Sequence, residues 1–93
     1  MKADIVIAAA CERLAQDEKY GGPDHDDDHT PLEWSDFISD HAERGSGYDL
    51  KDRGFRRQMV RVIALAVAAI EASDRSINRS SLSDEDKRLA LRL

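Results

Sequence analysis

Chemistry-bearing residues crowd one short stretch of this sequence, where Pro23-Asp24-His25-Asp26-Asp27-Asp28-His29 combines two imidazoles with four carboxylates. Oxygen-rich segments suit magnesium, manganese or calcium, and mixed His/Asp sets suit zinc or nickel. His25, Asp26, Asp27 and His29 are therefore candidate metal ligands, although their spacing matches neither an EF-hand loop nor a helical HExxH motif. The plainer reading, favoured here, is a solvated acidic loop over 20–30 whose carboxylates complement the positive N-terminus of the next helix.

Further along, Glu33, Asp36, Asp40 and Glu43 share one face of a helix at 100° per residue. Such a stripe could hold a divalent cation, with Asp40 and Glu43 as ligands, and is otherwise the wet face of an amphipathic helix. Arg53, Arg57 and Arg61 recur four residues apart, joined by Lys51 and Arg56. Cations near a helix N-terminus oppose its dipole, so acidic partners are expected from the preceding helix. Surface ion pairing and a phosphate-binding face both remain open for these arginines. His41, beside Trp34 and Ile38, reads as a packed, hydrogen-bonded side chain. Glu71 directly follows an apolar run and must reach solvent, an arginine or a metal.

These groups need helices to position them. Ala3, Ile7, Ala10 and Leu14 recur at helical spacing between Lys2 and Lys19, and Tyr20-Gly21-Gly22-Pro23 ends that helix. The apolar start Ile5 to Cys11 reads as core, being too short to span a bilayer. Thr30-Pro31-Leu32-Glu33 supplies an N-cap, a first-turn proline and a capping-box glutamate for a second helix, with Gly45 as a left-handed terminator. A third helix runs from a cap at Asp49 to about Arg75, weakened near its start by Gly54. From Val62 to Ile70 every residue is apolar, and such a girth calls for burial on nearly every side. Two short partner helices supply too little cover, so a homo-oligomer is expected. Ser83 caps a short C-terminal helix within an extension over 76–93.

Composition sets the frame. The chain has 93 residues, of which 41% are hydrophobic, only 5% aromatic and 35% charged, as in an Ala-rich globular helical domain. The expectation is a single all-α domain over 1–93, a small bundle of two or three main helices plus a short last one. A domain of this size buries only about two thirds of its unfolded surface, so its own core is marginal. A net charge of −5 argues against sequence-independent nucleic-acid binding. Cys11 is the only cysteine, which rules out an internal disulfide and points to a reducing, cytoplasmic setting without membrane insertion.

From Gln16 to about Arg75 the order of features resembles the MazG-like all-α nucleotide pyrophosphohydrolases, in particular short phage and prophage versions. The resemblance rests on Gln16-Asp17-Glu18-Lys19-Tyr20-Gly21, His25, Trp34, Phe37-Ile38-Ser39-Asp40-His41-Ala42-Glu43, Arg57-Gln58-Met59-Val60-Arg61-Val62-Ile63-Ala64 and Ala69-Ile70-Glu71-Ala72-Ser73-Asp74-Arg75. It implies a helical bundle completed by oligomerisation, in which EExxE and ExxD acids bind magnesium to hold and hydrolyse a triphosphate. Here those motifs become Ser39-Asp40-His41-Ala42-Glu43 and Gln58-Met59-Val60-Arg61, so only Asp40 and Glu43 remain acidic. Arg61 is expected to stand in for the cation, pairing with Asp40 or Glu43.

The resemblance thus implies a catalytically degenerate protein, in a phage context and hence a host cytoplasm, that binds a nucleotide or a host protein. Its ligand-binding candidates are Asp40, Glu43, Arg57, Arg61, Glu71 and Lys19, with no resident cofactor. One alternative is an active magnesium- or manganese-dependent pyrophosphohydrolase with replacement acids. Another is a small acidic phage accessory protein that inhibits a host defence factor.

Overall fold

A computed structural model describes residues 1–81, so the Ser83 cap and most of the C-terminal extension lie outside the described residues. Four helices account for the fold: α1 (Ala3–Tyr20), α2 (Pro23–Asp27), α3 (Pro31–Gly45) and α4 (Arg53–Ser81). The all-α expectation holds, and among the described residues there is no strand.

Local chemistry sets the boundaries. At Gly21 the chain turns left-handed, with φ 94°, and its N–H bonds to the Asp17 carbonyl to close α1. The expected loop over 20–30 contains the short helix α2, which begins on Pro23 with Asp24 and Asp26 in its first turn. Proline pre-sets the helical φ and the acids meet the dipole favourably, so this turn is better specified than composition suggests. The capping box of α3 is complete: Thr30 Oγ1 accepts from the Glu33 N–H and Glu33 Oε1 accepts from the Thr30 N–H.

Gly45 does not terminate α3 in a left-handed conformation, since among the described residues only Gly21 and Gly22 have positive φ. It is the buried last residue of α3, and a Cβ there would come within 2.8 Å of Met59 Cε on α4. Close helix approach, not backbone handedness, is what requires glycine. Likewise α4 is capped by Asp52, not Asp49, because Asp52 Oδ1 accepts from the Gly54 N–H at 2.7 Å. Tyr48 packs its ring over Gly54, in the space a Cβ would need, which explains a glycine in a first helical turn. The helix then continues past Arg75 to Ser81.

The long α4 is the hub, packing against α3, α1 and α2. Its innermost residues are small, with Ala64 0% and Ala68 2% exposed, and Ala9 of α1 and Trp34 of α3 complete the buried apolar set. Alanines let the helices approach closely but remove little apolar area from water. Along the apolar girth from Val62 to Ile70, Val67 and Ile70 are exposed, at 40% and 60%, and the other residues are buried or half-buried.

Helix α1 reverses the expected orientation. Ile7 and Leu14 are 61% and 65% exposed, and Ala3 and Ala10 are exposed with them. The face turned toward the rest of the molecule carries Ala9 together with Glu12, Arg13 and Gln16, the last three half-buried. The apolar stripe is therefore an outer surface and not the core. Ion pairs across the inner face account for this choice.

Candidate functional site

Arg13 is the centre of those ion pairs. Its guanidinium donates to Asp17 one turn along α1, to Asp26 Oδ2 of α2 at 2.9 Å and to Glu71 Oε1 of α4 at 3.2 Å. Burial works against the charge, but the hydrogen bond and charge of Asp17 and the charge of Asp26 more than offset it, and the guanidinium pKa is raised. A second clamp joins α2 to the far part of α4: Asp27 Oδ1 accepts from Arg75 Nε at 2.9 Å and Asp27 Oδ2 accepts from Arg79 Nη2 at 2.9 Å. Arg75 Nη2 also lies 2.7 Å from Asp27 Oδ1, though outside hydrogen-bond geometry, so that contact is ionic only. The Arg75 bond, then Arg79, hold the Asp27 carboxyl below its ordinary pKa range. Asp26 and Asp27, candidate metal ligands in the sequence, are thus paired with arginines that anchor α2.

Anchoring α2 here opens a cleft of about 680 Å³ between α1 and α3, floored by Arg61, Leu65 and Ala68 of α4. One wall is a row of rings. Tyr20 stacks on His25 with centroids 6.0 Å apart, His25 meets His29 edge-on at 4.6 Å, and His29 meets Trp34 and Phe37 at 5.2 and 5.0 Å. The rest of the lining sets Lys19, Arg44 and Arg61 against the carboxylates of Glu12, Asp26 and Asp40, together with Ala15, Gln16 and His41. Lys19 Nζ sits 5.1 Å from the centre of the Tyr20 ring.

Several residues singled out in the sequence do not meet as expected. Arg61 pairs with Glu12 of α1 at 3.6 Å, while Asp40 pairs with Arg44 of its own helix at 3.0 Å. The expected bridge from Arg61 to Asp40 or Glu43 is absent because α1 supplies a nearer acid. Arg56 also takes its partner from α1, Asp4 at 3.8 Å, so the basic start of α4 is matched by α1 and not by the acidic stripe of α3. Arg57 lines a separate shallow recess with Asp4 and Arg53, Glu43 is exposed, and Glu71 is committed to Arg13. Gln58 is buried and shares a 2.8 Å hydrogen bond with His41 Nδ1, which makes His41 the packed, bonded side chain expected.

Of the sequence candidates, Lys19, Asp40, Arg61, His25, Asp26 and His29 line the cleft. Arg57, Glu43, Glu71 and Asp27 do not. Among the described residues no three or more His, Cys, Asp or Glu side chains are placed to hold one metal ion. Sequence reasoning missed Glu12, Arg13 and Arg44. Polar residues on α1 just where its pattern turns apolar toward the other side were the available signal.

No protein-family model, curated protein or solved structure matches the chain. No described helix is long and apolar enough to cross a membrane.

Proposed function

We propose that this is a MazG-like helical protein that binds a nucleotide in the cleft between α1 and α3 without metal-dependent hydrolysis. The observation that carries the reading is a cleft that sets a wall of rings beside Lys19, Arg44 and Arg61, with Glu12, Asp26 and Asp40 as their counter-charges. A base stacked on an aromatic side chain gains about 1–3 kcal/mol with little sequence preference. Arg61 and Lys19 supply donors for phosphate oxygens, Arg44 being held at Asp40, and a guanidinium group suits those oxygens bidentately. Arg61 and Glu12 stand 3.6 Å apart, longer than a hydrogen bond, so the donors of Arg61 are not consumed.

Loss of hydrolysis follows from ligand charge. Of the positions that resemble the family's acidic motifs, Asp40 alone is both acidic and in the cleft, and Arg44 neutralises it. A thermal-shift panel of nucleoside mono-, di- and triphosphates, with and without magnesium, tests the proposal. Saturable stabilisation independent of magnesium, with no pyrophosphate released, is expected. Magnesium-dependent release of pyrophosphate would establish the enzymatic alternative instead.

Self-association belongs to the same reading, and the outer stripe of α1 is its motive. Ala3, Ile7, Ala10 and Leu14 alternate small and large. In an antiparallel pairing centred between Ala8 and Ala9, Ala3 meets a second copy's Leu14 and Ala10 meets its Ile7, so each large side chain fills the space above an alanine.

A further inference from the structure

Apart from the nucleotide reading, one pair of side chains has a geometry that packing does not require. His25 and His29 point their Nε2 atoms at each other, 3.1 Å apart, across an 88° ring crossing on the cleft wall. We propose that these two imidazoles form an open binding site for a late first-row divalent ion, zinc above all, with its remaining coordination positions facing the cleft.

Three observations converge. First, two imidazole nitrogens bound to one zinc ion, each about 2.0–2.1 Å from it at tetrahedral angles, lie about 3.3–3.4 Å apart, so the observed 3.1 Å pair would need to open by only a few tenths of an ångström. Second, Glu33 Oε2 lies 3.6 Å from His29 Nδ1, longer than a hydrogen bond but within ion-pair range. A small movement of that side chain would bring it to the position from which a carboxylate orients a metal-binding histidine. Third, Trp34 and Phe37 box His29 by their edges, and the more exposed His25 lies alongside the Tyr20 ring. A preset pair loses little freedom on binding an ion.

Oxygen-preferring magnesium gains little from two neutral nitrogens, whereas zinc, cobalt and nickel suit imidazole. Two protein ligands leave the ion labile and able to accept water or an anionic oxygen from a molecule in the cleft. The site is thus a point of attachment and not a structural zinc centre.

Cobalt is the practical probe, because its visible absorption reports nitrogen coordination directly. The full chain, stripped with a chelator, is titrated with cobalt and then with competing zinc, and melting temperature is read in parallel. Expected are a saturable cobalt spectrum displaced by zinc, stabilisation by zinc and none by magnesium. His25→Gln and His29→Gln should each weaken binding at least about tenfold while leaving the helical circular dichroism unchanged. Glu33→Gln preserves the capping box, since glutamine serves there as well, and should still weaken the ion by about 10-fold or more. No cobalt spectrum in the parent chain, or an affinity unchanged from the parent in both histidine variants, would show that the pair is only a hydrogen bond between imidazoles.

Discussion

The two faces of α1 differ in a way that runs against ordinary amphipathic design. The inner face places Glu12, Arg13 and Gln16 against the rest of the molecule, while the outer face leaves Ile7 and Leu14 largely exposed. Buried polar groups need partners, and here every one of the Arg13 nitrogens has a carboxylate on α1, α2 or α4. Apolar side chains carry no such directional demand. The comparison teaches that ion-pair geometry can choose which face of a weakly amphipathic helix turns inward, and that the rejected apolar face is then available to another molecule.

Breaking the inner face should have the largest effect. Arg13→Ala strands Asp26 in a buried setting, and loss of one partner from such a pair costs about 3 kcal/mol or more. Chemical denaturation checks this; a cost within about 0.5 kcal/mol, as for an exposed arginine, would sink the role given to Arg13. Next comes Thr30→Ala, which removes the cap of α3 and should cost about 1 kcal/mol. The same denaturation series ranks the two.

Acid should act selectively on α2 and on the start of α3. Asp27 is held below its ordinary pKa by its hydrogen bond from Arg75 and then by Arg79, and Glu33 by the Thr30 N–H and side chain. For carboxyls with depressed folded values, the stabilisation is complete above the unfolded value of about 4 and disappears as pH falls through the lower folded value. A melting-temperature profile below about pH 4 should therefore fall less steeply for Asp27→Asn than for the parent. An identical acid slope would mean that the Asp27 clamp contributes nothing in solution.

The smallest expected change in monomer stability comes from the outer face. Ile7→Glu combined with Leu14→Glu alters two exposed positions and should leave the helical content intact. Light scattering, however, should fall from a dimer or larger species to a monomer. A parent chain that is already monomeric at micromolar concentration would end the proposal for the stripe.

Much of the architecture was legible in the sequence for reasons particular residues make plain. Thr30-Pro31-Leu32-Glu33 encodes its capping box locally, and Gly21 marks a left-handed turn that no neighbour has to supply. The periodicity of Ala3, Ile7, Ala10 and Leu14 located a helix correctly but said nothing about which side would be covered, because that depends on where Asp26 and Glu71 arrive in space. Gly45 and Gly54 invited explanations from backbone conformation, yet it is Met59 and Tyr48 that require their smallness. Arg61 stands out in the sequence by its spacing, whereas its partner Glu12 lies 49 positions away and is found only in the fold. In the sequence the cleft wall looks like an acidic loop because its order comes from Arg13, Arg75 and Arg79, all distant along the chain.

Nucleotide binding in the cleft is tested most directly by fluorescence, since Trp34 is the only tryptophan in the chain and its ring belongs to the cleft wall. Titration with a nucleoside triphosphate, without magnesium, should change its emission saturably, and Arg61→Ala should weaken that response at least about tenfold, the loss of one charge-assisted contact. Inorganic triphosphate, which has no base to stack, should change the emission little. An emission unaltered by every nucleotide, or an equal response in Arg61→Ala, would contradict the account.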